Sequence, residues 1–172
     1  VHYPDMVGLS TPELRQEKKK ESIYTTMWIS VGLHAGSMYK GKGTLDRLAN
    51  GRVVNQDAFN KDRQYEQLPM EEYGLTIYAS HGIDPKTNKP YREGRDAEDV
   101  FIHRDENGKV TTFITCSNRL IKSAPCTQWI DLEPLMKADV YISYRRDLLP
   151  EWQKIQESVT QLIYNFKSTT PQ

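Results

Sequence analysis

The sequence lacks a net charge, a long hydrophobic run and any abundance of cysteine. Its 172 residues include 23 basic and 23 acidic residues, and the two kinds are mixed through the chain. This distribution gives none of the basic surface typical of proteins that bind nucleic acid or anionic membranes. No stretch approaches the roughly 18 apolar residues of a transmembrane helix, and no signal-peptide hydrophobic segment is present. We therefore expect neither nucleic acid nor the bilayer itself as a partner.

Only two cysteines occur, Cys116 and Cys126. They flank a polar, proline-containing segment, Ser117–Pro125, which is typical of one local disulfide. The alternative is two unpaired thiols in a cytosolic protein. A disulfide would indicate an oxidising compartment such as a periplasm. The chain also begins at Val1 and not at methionine, which indicates that an initiating segment, with any targeting signal, has been removed.

The chain length fits one domain, because domains usually contain roughly 100 to 200 residues. We predict a single domain over residues 1–172. The polar residues 1–20 are expected to form a surface arm, and residues 21–172 the globular α+β domain.

The C-terminal third carries the strongest structural pattern. Apolar residues recur there at steps of three and four, which predicts one long amphipathic helix with a single buried stripe. Asp147 is a candidate N-terminal cap for this helix. The preceding segment, Ala138–Arg145, alternates as a half-buried strand does. We expect the helix to cover the sheet that contains this strand. The stripe consists of Leu148, Trp152, Ile155, Val159, Leu162 and Phe166.

Further strands are predicted by alternation and by turn signals, above all by Asn107–Gly108 between two β-prone runs, which is a hairpin signal. No β-α-β alternation is visible, so the predicted fold class is α+β with an antiparallel sheet of five or six strands. A short helix is expected at Leu45–Ala49, and long loops over Gly36–Gln67 and His81–Asp99. The other predicted strands are Ser22–Leu33, Tyr73–Ala79, Val100–Arg104, Lys109–Cys116 and Trp129–Leu132.

A glycine-rich stretch, Gly36–Thr44, comes close to a phosphate-binding P-loop. However, Gly43 stands where the magnesium-binding hydroxyl is required, and Thr44 follows one position too late. The short segment after it also substitutes poorly for the phosphate-binding helix. We therefore interpret the stretch as a flexible basic loop, with no cofactor.

No other group of residues has the spacing of a catalytic or metal site. The histidines at positions 34, 81 and 103 lie in separate segments, with no second histidine or cysteine at a metal-ligand spacing from any of them. A Cys–His catalytic pair could form only if the cysteines were not disulfide-bonded. The acidic residues at positions 93, 96, 98 and 99 are interleaved with Arg92 and Arg95, and their spacing matches no calcium loop. We predict no catalytic residue and no metal, and hence no enzyme.

Aromatic residues occur on the second face of two predicted strands, at Tyr24, Trp28 and Tyr141. Either the sheet is buried on both faces, or these residues form a recognition surface, since Tyr, Trp and Arg are enriched at the centres of protein interfaces. The long loops are the predicted contact surface. Its candidate partner-binding residues are Tyr39, Lys42, Arg47, Arg52, Tyr91, Arg92 and Arg95.

The C-terminal third, Cys116 to Phe166, resembles small periplasmic lipoproteins of Gram-negative bacteria. The likeness lies in Cys126-Thr127 before a short strand, in Val140–Arg145, in Leu148–Trp152, and in the apolar positions of the final helix. Some of these lipoproteins are encoded beside type VI secretion lipase effectors and act as their immunity proteins.

The resemblance implies a non-enzymatic immunity protein that binds a secreted toxin, most simply a phospholipase effector, and occludes its active site. It implies a periplasmic location, a disulfide, and a lipid anchor carried by the removed N-terminus. The alternative is a general envelope lipoprotein or assembly factor without a toxin partner. A small hydrolase built around one of the histidines is a third hypothesis.

Overall fold

A seven-stranded antiparallel sheet forms the centre of the structure, a computed structural model that describes residues 1–54 and 64–168. The strand order is β1-β9-β8-β7-β6-β3-β2, and β4 and β5 form a separate two-stranded ribbon. The strands are β1 (Ser30–Ala35), β2 (Gln64–Glu72), β3 (Leu75–His81), β4 (Ile83–Asp84), β5 (Lys89–Pro90), β6 (Glu98–Arg104), β7 (Val110–Ser117), β8 (Pro125–Asp131) and β9 (Ala138–Arg145). The helices are α1 (Pro12–Lys20), α2 (Thr44–Ala49) and α3 (Trp152–Ser168).

This architecture confirms the predicted α+β class with an antiparallel sheet. Strand β9 has the predicted bounds, and β6 and β7 pair as the predicted hairpin. Gly108 in its turn has a φ of 77°, which a glycine adopts without strain. In the described part of the chain, no helix is long and apolar enough to cross a membrane.

Several strand predictions were wrong. The strand predicted at Trp129–Leu132 is β8, which runs from Pro125 to Asp131. The predicted strand Ser22–Leu33 begins only at Ser30, because the Ser22 carbonyl accepts hydrogen bonds from the amides of Thr25 and Thr26 and closes a turn. Strand β2 lies partly inside the predicted loop Gly36–Gln67. Its residues are mostly exposed, so no alternation marks it. Positions 55–63 of that loop lie outside the described residues.

Helix α3 covers one face of the sheet. Trp152, Ile155, Val159 and Ile163 are buried against a core that includes residues of β3, β6, β7, β8 and β9. The predicted stripe was wrong at its end, where Ile163 and not Leu162 is buried and Phe166 is 67% exposed. Residues Arg146–Glu151 form a 3-10 helix before α3 begins. Asp147 therefore lies within that turn and pairs with Arg145 instead of capping the α-helix, which corrects the predicted cap.

The second face is covered over only part of its width. Helix α2 and the π-helical turn Asn50–Val54 place three apolar side chains on β6 and β7, where a second core forms. Asp46 fixes this cover, since its carboxylate accepts a hydrogen bond from the Val110 amide at 3.0 Å. That core comprises Leu45, Ala49, Val53, Val100, Ile102, Val110 and Phe113. Strands β8, β9 and β1 carry the less covered part of this face.

The predicted surface arm, residues 1–20, has two parts in the structure. Helix α1 buries none of its residues. Tyr3, by contrast, is buried in the core beneath α3, and its hydroxyl lies 3.5 Å from the Glu151 carboxylate. The domain bounds drawn from the sequence remain predictions.

Candidate partner-binding surfaces

The candidate contact residues lie at two opposite ends of the sheet. Three of them lie near Asp131 and Ala138, where β8 ends and β9 begins, which we call the α2 end. The other four lie where β9 ends and β8 begins, beside the two cysteines, which we call the disulfide end. Strand β9 has eight residues, and so the two ends are separated by roughly 23 Å. The first group is Tyr39, Lys42 and Arg47; the second is Arg52, Tyr91, Arg92 and Arg95.

At the α2 end, the side chains mainly hold their own loop. The Arg47 guanidinium donates to the carbonyls of Lys40 and Lys42, at 2.9 and 2.8 Å. The Tyr39 hydroxyl donates to Asp131 at 3.2 Å. Burial, followed by the nearby carboxylates of Asp131 and Glu133, raises the pKa of Tyr39 to about 12. Of the three candidates here, Lys42 is the most available to a partner, with its side chain 79% exposed.

At the disulfide end, a buried carboxylate gathers several donors. Asp99 is 1% exposed, and it accepts two hydrogen bonds from Arg92 at 3.0 Å, one from Arg146 at 2.9 Å and one from Asn118 at 2.8 Å. Burial by itself would raise the pKa of Asp99, but these hydrogen bonds outweigh it and the pKa is lowered. The carboxylate therefore ties together the start of β6, the end of β7 and the turn after β9.

Further ion pairs involve two more members of the acidic cluster, Glu98 and Asp96. Arg52 pairs with Glu98 at 2.5 Å, and Arg119 lies 3.6 Å from Asp96. The interpretation as a charged loop interleaved with arginines fits these pairs. Across residues 1–54 and 64–168, no group of three His, Cys, Asp or Glu side chains could hold a metal ion.

The predicted disulfide between Cys116 and Cys126 is present. The two residues face each other across β7 and β8, and their bond closes the loop Ser117–Pro125, which we call the disulfide loop. Both sulfur atoms are therefore bonded to each other, and neither cysteine can act as a nucleophile. The loop tip carries Leu120, which is fully exposed at 104%, and Ile121 at 49%.

A groove of about 1230 Å³ runs between the disulfide loop and the segment Arg92–Arg95. Its lining combines five basic side chains with three carboxylates, one of which is the buried Asp99. The groove is lined by Arg92, Glu93, Gly94, Arg95, Asp99, Asn118, Arg119, Leu120, Ile121, Lys122, Ala124, Arg146 and Asp147. Of the sequence-predicted contact residues, Arg92 and Arg95 line this groove.

The less covered part of the second face is a separate surface. Tyr141, 36% exposed, lies across Gly32 of the edge strand, and a Cβ at position 32 would come within 2.0 Å of its ring. Its ring also lies 5.2 Å from the His34 ring, tilted by 43°, and the His34 Nδ1 lies 2.8 Å from the Asp139 carboxylate. One oxygen of that buried carboxylate, Oδ1, has no hydrogen-bond partner among the described residues.

The other two aromatic candidates lie near the N-terminal segment. Tyr24 is 52% exposed and belongs to the turn that precedes β1. Trp28 is half-buried and donates its indole N–H to Glu21 at 3.1 Å. The interpretation of all three aromatics as one recognition surface on the sheet therefore needs correction, because Tyr24 and Trp28 lie outside the strands.

The histidines are not brought together either. His34 pairs with Asp139, His81 with Glu66 at 2.8 Å, and His103 lies 2.6 Å from the Thr111 hydroxyl. Each has its own partner in a different part of the sheet. Among the residues that the structure describes, His34, His81 and His103 therefore share no common site.

Sequence reasoning did not identify the side chains at the tip of the disulfide loop. The available signal was the pair Leu120–Ile121, two adjacent apolar residues inside an otherwise polar segment that cysteines enclose. Arg146 was also not identified, because its partner Asp99 is distant in sequence and only the antiparallel order of strands joins the two.

Comparison with known proteins gives one informative match. The chain matches no protein-family model, and no curated protein sequence matches it. Its fold is similar to that of Smlt3025, described as an immunity protein of the Stenotrophomonas maltophilia type IV secretion system. The TM-score is 0.63, the sequence identity is 19%, and the match covers 95% of this chain and 78% of the other. At this identity, the likeness shows a shared fold.

Proposed function

We propose that the protein is a non-enzymatic immunity protein, which binds a secreted antibacterial toxin and neutralises it by covering its active site. The observation that carries this proposal is the fold shared with Smlt3025 over 95% of the chain. The resemblance of the C-terminal third to immunity lipoproteins points the same way and comes from the sequence independently.

A periplasmic location is part of the proposal. The Cys116–Cys126 disulfide supports it, because such bonds persist in oxidising compartments and are rare in the cytosol. Toxins delivered to a neighbouring cell's envelope would meet their inhibitor there. A lipid anchor on the full-length protein, which the family resemblance implies, would keep the inhibitor at the membrane.

Two observations bear on the class of toxin, and they indicate different secretion systems. The sequence resemblance favours a type VI phospholipase effector, whereas the structural neighbour is named for a type IV secretion system. Occlusion of the active site requires the same kind of interface for a toxin of either secretion system. A stable complex requires an interface of roughly 1,600 Å² with a few buried anchors.

The proposal is tested with the effector encoded beside this gene. The effector is produced in the periplasm of a bacterial host, with and without this protein, and binding of the purified pair is measured by calorimetry. We expect restored growth and a one-to-one complex. Lipase activity of the effector, assayed on phospholipid vesicles, separates the phospholipase from other toxin classes. If no neighbouring effector binds at micromolar concentration, the immunity function is excluded.

A further inference from the structure

We infer that the disulfide loop is the element that enters the toxin, with Leu120 and Ile121 as its apolar anchor, and that the adjoining groove receives a segment of the toxin that carries carboxylates. The inference rests on the proposed immunity function and names the surface through which it acts.

The tip of the disulfide loop is exposed. A single exposed leucine is ordinary on a protein surface. Here a fully exposed leucine and a half-exposed isoleucine stand next to each other at a tip that projects beside a groove. Adjacent exposed apolar side chains beside a groove are typical of surfaces that become buried when a partner binds.

The disulfide loop is held in place by covalent and hydrogen bonds. The loop is closed by the disulfide and carries a turn bond from the Ala124 amide to the Ile121 carbonyl at 3.2 Å. Two arginines hold its flanks: the Arg146 amide donates to Ala124, and the Arg119 side chain donates to the Arg95 carbonyl. A loop fixed before binding loses little conformational entropy in the complex. The loop tip is therefore preorganised for binding.

The groove beside the loop carries positive charge that the described residues leave unpaired. Asp99 is already neutralised by Arg92 and Arg146. By contrast, within the described ranges neither Arg95 nor Lys122 has an ion-pair partner. These two cations are exposed on the groove walls. The lining as a whole carries five cations against three carboxylates, including the exposed Glu93, so charge complementarity favours a partner segment with carboxylates. The volume of about 1230 Å³ is also larger than a usual small-molecule pocket of roughly 300 to 1,000 Å³, and suits a peptide segment.

The experiment compares matched substitutions at the two ends of the sheet. Leu120→Asp changes the loop tip, and Leu135→Asp changes a leucine that is 66% exposed in the turn before β9. Lys122→Glu reverses a charge in the groove, and Lys137→Glu reverses an exposed charge in that same turn. Affinity for the effector encoded by the adjacent gene is measured by calorimetry for all four variants and the wild type. Thermal unfolding of each variant checks that the fold is kept.

We expect Leu120→Asp to weaken binding by about 30-fold or more, as truncation of an interface anchor does. Lys122→Glu should weaken it by about 10-fold, with an effect that shrinks at high salt. Leu135→Asp and Lys137→Glu should bind as the wild type does.

The outcomes separate the two proposals. If the wild type binds and Leu120→Asp binds equally well, the loop is not the anchor and the inference is overturned while the immunity function stands. If the wild type binds and Lys122→Glu binds as tightly or more tightly, the acidic partner segment is excluded. If the wild type binds no neighbouring effector, the immunity function fails, and this inference with it.

Discussion

The two ends of the sheet use arginine for different purposes. At the α2 end, Arg47 donates to the backbone of its own exposed loop. At the disulfide end, Arg92 and Arg146 enclose a buried carboxylate from another strand. The first arrangement stabilises a loop locally, whereas the second joins three distant segments. At each end an arginine predicted to contact the partner also holds neighbouring structure, and at the disulfide end this support lies beside the exposed side chains of Leu120 and Ile121.

The disulfide should contribute the largest stabilisation at either end. The cysteines are ten positions apart, and closing so short a loop stabilises by about 3 kcal/mol in the chain-entropy model. We expect Cys116→Ala with Cys126→Ala to lower the free energy of unfolding by that amount, measured by urea denaturation. A loss below about 1 kcal/mol would mean that the strand pairing alone fixes the loop.

Removal of the buried carboxylate should come next. Asp99→Asn keeps the side-chain shape but removes the charge that Arg92 and Arg146 surround. Both arginine side chains are partly exposed, at 46% and 30%, so water can hydrate their guanidinium groups in the variant. We therefore expect a loss of about 2 kcal/mol in urea denaturation. An unchanged midpoint would show that this network contributes nothing to stability.

The same carboxylate predicts an acid dependence. Its pKa is lower in the folded chain than its ordinary value of 3.8, so the unfolded chain binds a proton first as the pH falls. The stability that Asp99 provides is fully present above that ordinary value and is lost as the pH falls through the folded pKa. We expect the stability difference between wild type and Asp99→Asn to shrink steadily below roughly pH 5. A difference that stays constant down to acid unfolding would contradict this.

The α2 end should respond more weakly. Arg47→Ala removes hydrogen bonds from an exposed side chain, and we expect a loss of about 1 kcal/mol. Lys42→Ala is the matched control, because its amine lies 3.9 Å from Glu133 and is largely exposed. It should change the stability by less than about 0.5 kcal/mol. If Arg47→Ala lowered the free energy of unfolding as much as Asp99→Asn does, the arginine contacts at the two ends of the sheet would be equally important for stability.

Much of the fold could be predicted because it depends on local patterns. The bounds of β9 follow from alternation, the β6–β7 hairpin from Asn107–Gly108, and α3 from its apolar stripe. Strand β2 could not be predicted in the same way, since most of its residues are exposed on both faces. The turn at Ser22 also escaped prediction, because a serine that bonds to its own neighbouring backbone interrupts an otherwise regular alternation.

The candidate surface could be predicted only in part. The disulfide and the groove residues Arg92 and Arg95 were identified, the former by cysteine spacing and the latter as charges in a long loop. A charged loop residue can be exposed or can be held in an ion pair, depending on which residues the fold brings beside it. Asp99, for example, contacts Arg146 only after β6, β7, β8 and β9 have assembled. The exposure of Leu120 likewise depends on the turn that the loop adopts, which composition does not specify.

The position of β1 at the edge of the sheet has a consequence for the order of folding. Its strand partner is β9, and Leu33 there lies opposite Val140. Strands β6 to β9, by contrast, pair with their immediate neighbours in the chain. Contacts between residues distant in sequence form slowly because the intervening chain must first be ordered. The N-terminal strand, although synthesised early, must therefore wait for the C-terminal third before it can join the sheet, and an interrupted chain would leave it unpaired.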